Sequence, residues 1–238
     1  FQKVALDNEE VTTLDGAVNK TAILLGLTIL TASISWNFQG PMMGLISGIG
    51  VAAAMISAIA TFGLWIFSWI IKPTPHRAPY TAPIYAAGMG FAIGLISQQF
   101  ESLFPGIVIQ AVSLTFFVAA SLLLLYKTGV IRPDQNFLLI MACATLGIFF
   151  TYIANIFYAM ATGSSFSIIT DTGLMGIGFS LFVVVIAALN LVLDFDIIEQ
   201  AAETRAPKYM EWFGAMALVM TLIWLYLEIL RLLAKLRS

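Results

Sequence analysis

The chain has few of the residues on which most soluble catalytic and metal sites depend. Among its 238 residues are one histidine and one cysteine, and only 10% are charged. The single Cys143 excludes an internal disulfide. There is no zinc-ligand cluster, phosphate-binding loop or nucleophile elbow, which argues against a familiar enzyme mechanism. Basic blocks are also lacking and the net charge is only -2, so nucleic acid is not expected as a partner.

What the chain has in excess is apolar residues. They make up 60% of it, and the mean hydropathy is +0.96. Soluble domains carry about a quarter charged residues, and a water-soluble core could not hide this much apolar surface. Open sheets would leave unpaired backbone groups in hydrocarbon. We therefore predict an all-α, polytopic integral membrane protein whose main partner is the lipid bilayer.

Seven apolar stretches are long enough to cross a bilayer, which takes roughly 20 residues. They predict a single seven-helix membrane domain at 21–238. The polar residues 1–20 are predicted to form a cytoplasmic N-terminal segment and not a signal peptide. The predicted spans are Thr21–Phe38, Met42–Ile71, Ala82–Phe100, Ile107–Tyr126, Phe137–Met160, Leu174–Ile198 and Trp212–Leu233.

Lysine and arginine are unevenly divided between the two ends of these spans. The loops after the first, third and fifth spans contain none, and the N-terminal segment and the remaining loops carry all of them up to Lys208. The positive-inside rule therefore predicts a cytoplasmic N-terminus. The tail breaks the pattern, because Arg231, Lys235 and Arg237 belong to the end that should lie outside. Either the tail is external or the last helix is re-entrant, and seven full spans are preferred.

The last two spans contain the ionisable residues that are most expensive to place in lipid. Asn190 and Asp194 are four residues apart and share a helix face, whereas two residues turn Asp196 away by about 200°. Carboxylates that lie close together can share a proton or bind a hard cation through oxygen. The alternative is structural, with a solvated helix end at Asp194 and Asp196 and an ion pair between Glu228 and Arg231.

Strings in the same two spans resemble the Bax-inhibitor (transmembrane Bax inhibitor motif) family, in its bacterial branch. They are LNLVLDFDIIEQ at Leu189–Gln200 and LIWLYLEILRLLAKL at Leu222–Leu236, and both YAAGMGFAIGLIS at Tyr85–Ser97 and Asn19-Lys20-Thr21 are similar too. The resemblance implies a seven-helix bundle with the last helix central, in a bacterial inner membrane. It also implies a pH-sensitive calcium leak or, as in another bacterial relative, modulation of a membrane-bound AAA protease.

By motif, the resemblance makes Asp194 and Glu228 the two acids that sense pH in the calcium-leak members, and also candidate metal ligands. Asp196 is a secondary pH-sensing candidate. Supporting polar contacts are expected from Asn190, Arg231 and Thr221. No cofactor is expected, since calcium would be the transported ion.

The chain departs from the family pattern in two places. Met89 stands where the family often has an acid. Asp194 lies 13 residues before the turn at Pro207 and Glu228 lies 21 residues after it, a difference of 8 residues or about 12 Å of helical rise. This distance is too long for a direct pair, and an alternative alignment of the last helix places uncharged Thr221 at the sensor position. Either the paired-acid sensor is absent, or Glu199–Met210 runs along the membrane surface so that the two acids can meet.

Two functions follow as predictions. The leading one is a pH-sensitive cation leak channel or transporter, in which protonation of Asp194 releases a contact that keeps the pore shut, with Asp196 and Glu228 secondary. The alternative is a non-conducting regulator or accessory subunit of a membrane protein complex, such as a membrane-bound AAA protease. An intramembrane enzyme is disfavoured, because the sequence offers no nucleophile–base or metal constellation.

Overall fold

A computed structural model of the chain describes residues 10–37, 75–164 and 166–238. Their regular structure is helical, apart from one isolated antiparallel bridge between Val11 and Pro207. A 3-10 turn at Pro75–Arg77 and a four-residue helix, α5, interrupt a series of long helices. In chain order the helices are α1 (Leu14–Asn37), α2 (Ala78–Leu103), α3 (Ile107–Lys127), α4 (Gln135–Thr162), α5 (Ser167–Thr170), α6 (Leu174–Glu203) and α7 (Met210–Arg237).

The protein is an all-α polytopic membrane protein, as predicted. Six described helices are long and apolar enough to cross a membrane: α1, α2, α3, α4, α6 and α7. They coincide with six of the seven predicted spans, and the remaining one, Met42–Ile71, lies outside the described residues. Among the described spans, α7 has the largest buried share, half of its most apolar stretch, which is the behaviour expected of a central helix.

Polar side chains and glycines set several of the helix ends. Thr13 precedes α1, and its hydroxyl accepts a hydrogen bond from the Gly16 N–H at 3.0 Å, which caps the first turn. Helix α1 therefore begins seven residues before the predicted start at Thr21. Asp134 caps α4 in the same way, accepting from the Phe137 N–H at 2.6 Å. Gly163, with φ of 72°, ends α4 in the left-handed conformation that glycine adopts without strain.

The helices form two compact units, of which the first contains α1, α2 and Ile197–Val219. Small residues let α1 and α2 pack closely. A Cβ at Gly90 would meet Thr28 of α1, and a Cβ at Gly94 would meet Ala32, one turn further along both helices. The two helices are therefore parallel, which is the arrangement expected if one further predicted span separates them in sequence.

The second unit contains Phe104–Asp196 and Met220–Ser238. Its apolar core is formed by α4 and α6, with side chains of α7 packed against it. The fully packed members are Met141, Ile148, Val183 and Ile186, and partly buried neighbours include Phe137, Tyr152, Phe179, Leu189, Leu193 and Trp224. Polar groups on α4, α6 and α7 are therefore brought together beside one core.

The basic residues at the end of α7 contact other parts of the second unit. Lys235, which is buried, donates a hydrogen bond to the Gly176 carbonyl at 2.9 Å. Arg237 donates to the Pro105 carbonyl at 3.0 Å and to Gln110 at 2.7 Å. The end of α7 therefore contacts the starts of α3 and α6, which were predicted to lie on the same outer side. Helix α7 is one continuous helix and not a re-entrant pair. Lys235 and Arg237 are thus bonded within the protein, which accounts for basic residues at an end that the positive-inside rule predicts to lie outside.

Candidate functional site

Asp194 is a buried acid on α6 with an incomplete set of hydrogen bonds. The residue is only 8% exposed. The hydroxyl of Thr221 on α7 donates a hydrogen bond to the carboxylate. The second carboxylate oxygen, Oδ2, is buried and has no hydrogen-bond partner among the described residues. Buried polar atoms are nearly always paired, so this oxygen marks Asp194 as a candidate functional group.

The antiparallel packing of α6 and α7 explains why Thr221 faces Asp194. Near one end of the pair Asp194 contacts Thr221, and near the other end Gly176 accepts from Lys235. Between these contacts the residue numbers fall along α6 as they rise along α7. This register agrees with the alternative alignment of the last helix, in which Thr221 takes the position opposite the helix-six acid.

Glu228 lies in a separate and fully bonded cluster on α7. It is 2% exposed, and Arg231 Nη1 binds its two carboxylate oxygens at 2.8 and 3.0 Å. Tyr152 Oη and Trp224 Nε1 donate to Glu228 Oε1 at 3.0 and 3.2 Å. Arg231 also donates to Tyr152 Oη at 2.6 Å and lies over its ring. Because Tyr152 belongs to α4, this cluster ties α7 to α4.

The two predicted pH-sensing acids therefore have different partners in this structure. Asp194 is bonded to Thr221, and Glu228 follows Thr221 by seven residues, about 10 Å of helical rise. The charge of Glu228 is met by Arg231, whereas none of the ion pairs among the described residues involves Asp194. Joint metal binding by Asp194 and Glu228 stays a prediction that would require α6 and α7 to move.

The other predicted polar residues of α6 also contact different helices. Asn190 donates from its amide nitrogen to the Thr145 hydroxyl of α4 at 3.0 Å and to the Ile186 carbonyl at 2.8 Å. Asp196 accepts from the Tyr126 hydroxyl of α3 at 3.3 Å. Asp196 thus faces a different neighbour from Asp194, as the helical spacing predicts.

Sequence reasoning missed the polar partners that α4 contributes. Tyr152 and Thr145 lie within an apolar stretch, and no local pattern connects them to α6 or α7. Trp224 was open to detection, because it precedes Glu228 by four residues and therefore shares its helix face. Buried tyrosine and tryptophan usually bond their polar atoms, so each aromatic residue one turn from a buried acid is a candidate partner.

A second buried acid, Glu211 in the first unit, was also missed. It is fully buried at the start of α7. The Thr13 N–H and hydroxyl donate to Glu211 Oε1 at 2.9 and 3.0 Å. Lys20 and Lys208 approach its carboxylate oxygens at 3.2 and 3.4 Å. A Cβ at Gly16 would collide with the Glu211 carboxylate, so α1 approaches this acid as closely as glycine allows.

Backbone pairing completes this contact, which we call the N-terminal clamp and define as Glu10–Gly16, Lys20 and Ala206–Glu211. The Thr12 N–H donates to the Ala206 carbonyl at 2.8 Å, and the Lys208 N–H donates to the Glu10 carbonyl at 3.0 Å. The Thr12 hydroxyl donates to the Pro207 carbonyl at 2.8 Å. The clamp therefore fixes the connection between α6 and α7 to the start of α1, two chain regions that were predicted to share the cytoplasmic side.

The chemistry available at Asp194 is that of a single acid. Among the described residues, no group of three or more histidine, cysteine, aspartate or glutamate side chains is placed to hold a metal ion. Asp194 can take up or lose a proton, and its unpaired oxygen can accept a hydrogen bond or contact a cation. The bonded Glu228 cluster and the N-terminal clamp are suited to hold helices in place.

Comparison with known proteins identifies a family. The model described as Bax inhibitor 1 like matches residues 2–238, nearly the whole chain. A comparison with curated proteins gives no match. The match includes both the segments whose strings resemble the family and all of the described helices, so the resemblance inferred from the last two spans extends over the chain.

Proposed function

Because the chain belongs to the Bax inhibitor 1-like family, we propose that this multispan membrane protein is a pH-sensitive cation leak channel or transporter. Calcium is the favoured ion, and protonation of Asp194 controls the leak. The N-terminus is proposed to be cytoplasmic, in a bacterial inner membrane with seven spans in all. The protein is proposed to have no catalytic activity of its own.

The environment of Asp194 carries this proposal. The carboxylate is buried in a membrane-spanning helix, and one of its oxygens lacks a partner among the described residues. An ionisable group inside a span is costly and is found mainly where it has a function. Its contact with Thr221 joins α6 to α7, so a change in the charge of Asp194 acts directly on the contact between two helices.

The proposed gating step is a weakening of this contact by a proton. A hydrogen bond to a charged carboxylate is about twice as strong as one between neutral groups. When Asp194 takes up a proton, the bond from Thr221 loses that charge and α6 is held less firmly to α7. Low pH would then open the leak and high pH would close it. Asn190, bonded to Thr145, supports the same face of α6.

Glu228 and Arg231 are proposed to anchor α7 while the contact at Asp194 changes. Tyr152 donates one bond to Glu228 and accepts one from Arg231, and these two bonds hold the ion pair of α7 on α4. The secondary roles of Glu228 and Asp196 in pH sensing stay predictions. Each requires its present partner to be released, Arg231 from Glu228 and Tyr126 from Asp196.

Calcium flux into proteoliposomes tests the proposal. Flux is measured on either side of neutrality, at about pH 6 and about pH 8, for the unmodified chain and for Asp194→Asn. Faster flux at the lower pH, with a pH response that Asp194→Asn abolishes, is the expected result. Glu203→Gln is the matched control, because it removes the same charge at an exposed position of the same helix. Unchanged flux and pH profile in Asp194→Asn would refute the mechanism.

Two observations favour the alternative, a non-conducting regulator or accessory subunit. Asp194 faces Thr221 and not a second acid, and Met89 stands where the family often has an acid, so the described residues offer few oxygen ligands to a divalent ion. Stable co-purification with a membrane-bound protease or larger complex, together with no flux from folded protein at either pH, would support this function.

A further inference from the structure

The charge of Asp194 has no counter-charge among the described residues. The ion pairs seen among the described residues involve Glu10, Glu211 and Glu228. On α7, the helix that faces Asp194, the basic residues after Thr221 are Arg231, Lys235 and Arg237. They follow it by 10, 14 and 16 residues, or about 15, 21 and 24 Å of helical rise, and each is bonded elsewhere.

Two other titratable groups near the site have partners of their own. On α6, Asp196 is turned to Tyr126 of α3. On α4, Tyr152 is bonded to Glu228 and Arg231. A carboxylate buried with one neutral hydroxyl partner is costly unless a proton or a cation neutralises it. The Asp194 carboxylate must therefore be neutralised by a proton or a cation that none of these side chains supplies.

Charge balance selects the kind of cation. One carboxylate neutralises one positive charge. Calcium takes six to eight oxygen ligands, generally including several carboxylates, whereas the described residues bring together no group of three or more histidine, cysteine, aspartate or glutamate side chains, and the side chain bonded to Asp194 is the neutral Thr221. A calcium ion would therefore leave an unbalanced positive charge in a buried site, whereas a monovalent cation would leave none.

The oxygen atoms near Asp194 suit a hard monovalent cation. Asp194 Oδ2 has no hydrogen-bond partner in the part of the chain that the structure describes, and the hydroxyl oxygen of Thr221 lies against the same carboxylate. Asn190 lies one turn before Asp194 on the same face. Its amide nitrogen is used by Thr145 and Ile186, which leaves its amide oxygen as an acceptor. Carboxylate, hydroxyl and amide oxygens are ligands that hard cations prefer.

We propose that Asp194 is a monovalent cation site, best matched to sodium, at which one sodium ion exchanges for one proton. The proposal deepens the function proposed above, since it rests on the same exchangeable carboxylate. Sodium and the proton compete for Asp194, so sodium would favour the closed state that the charged carboxylate holds. Calcium would pass through the opened protein without binding to Asp194.

The test is the thermal stability of the purified full-length chain in detergent. A ligand that binds only the folded state raises the melting temperature as its concentration exceeds the Kd. Sodium chloride is compared with choline chloride and calcium chloride at equal ionic strength, at several pH values. We expect a sodium-specific rise, and an apparent Kd for sodium that weakens about tenfold per pH unit once protons occupy the site.

Variants and a proton count make the test specific. Asp194→Asn should remove the sodium response at every pH, whereas Glu203→Gln should keep it. Thr221→Val should weaken sodium binding while the acid remains. Because Asp194→Asn could fold poorly, proton release is also measured in the unmodified chain as sodium is added to a weakly buffered sample. One proton released per sodium ion bound is the expected result.

Two results would overturn the proposal. A stabilisation by calcium that sodium does not produce, and that Asp194→Asn removes, would make the site divalent. No stabilisation by either cation and no proton release would mean that Asp194 binds only protons. Failure of the proposed function gives a different result, because sodium binding would persist in a protein that shows no calcium flux.

Discussion

Glu211→Gln is a sharp test of the N-terminal clamp, because the substitution preserves shape and removes one charge. Glutamine retains an oxygen at the Oε1 position, so the two bonds from Thr13 at 2.9 and 3.0 Å can persist. Its amide group would replace Oε2 and face the Lys20 ammonium, which lies 3.2 Å from that oxygen. The amide group of glutamine and the Lys20 ammonium would both be donors, so no hydrogen bond could form between them at this fully buried side chain.

The expected cost follows from the contacts that are lost. The contact that is lost is the ion pair between Lys20 and Oε2, and a charged contact of this kind at a buried carboxylate contributes about 1.5–3 kcal/mol. The second lysine, Lys208, adds little, because its side chain is 40% exposed and exposed ion pairs contribute about 0–1 kcal/mol. We expect Glu211→Gln to lower the free energy of unfolding by about 2–3 kcal/mol.

The measurement is unfolding in mixed detergent micelles, with Glu10→Gln as the matched control. Glu10 belongs to the same clamp, but its side chain is 83% exposed and lies 4.0 Å from Lys208, so its substitution should change stability by less than about 0.5 kcal/mol. Equal stability of Glu211→Gln and the unmodified chain would refute the reasoning. So would an equal loss in Glu10→Gln.

Three further predictions concern packing and the intramembrane polar groups. Thr221→Val removes the hydroxyl that bonds the acid of α6, and we expect calcium flux at high pH to rise towards its low-pH value; an unchanged pH profile would contradict this. Arg231→Met leaves buried Glu228 without a counter-charge, although the bonds from Tyr152 and Trp224 remain; because the Arg231 side chain is 37% exposed, the change should cost about 1.5–3 kcal/mol, much of which the added Glu228→Gln should restore in the same unfolding assay. Gly94→Ala places a methyl group against the backbone of α1 and should cost about 1–3 kcal/mol, whereas Gly88→Ala, which meets nothing within 4 Å, should leave the unfolding midpoint unchanged.

The spans were readable from the sequence because lipid imposes a simple rule on them. A helix that crosses a bilayer needs an apolar run of about 20 residues, and such runs are visible without knowledge of packing. Helix ends were less accurate. Residues 14–20 were assigned to the polar N-terminal segment because Asp15, Asn19 and Lys20 lie among them. Thr13 nevertheless caps a helix that begins at Leu14, and the Thr13 N–H donates to Glu211, 198 residues away.

The residues of the candidate site were partly predictable from the sequence, but which of them contact each other was not. Asp194 and Glu228 stand out because acids are rare in spans, and the spacing of Glu228 and Arg231 predicts their ion pair. The choice between Glu228 and Thr221 as the partner of Asp194 depends on the register of α6 against α7. That register is set by side-chain packing along both helices and leaves no signature in either sequence string.

Distant contacts explain the residues that were missed altogether. In sequence, Tyr152 is one of several aromatic residues in an apolar helix, and only the fold places Glu228 and Arg231 of α7 beside it. The same holds for Glu211, which in sequence resembles an ordinary acid in the first turn of a helix. Its burial follows from the approach of α1 at Gly16, a contact between the two ends of the chain.

The most direct test of the central claim is calcium flux through reconstituted protein, followed continuously as the pH is lowered, in the unmodified chain and in Asp194→Asn. We expect flux that rises as the pH falls in the unmodified chain, and flux that no longer depends on pH in the variant. An identical pH response in the two proteins, or no flux from either folded protein at any pH, would contradict it.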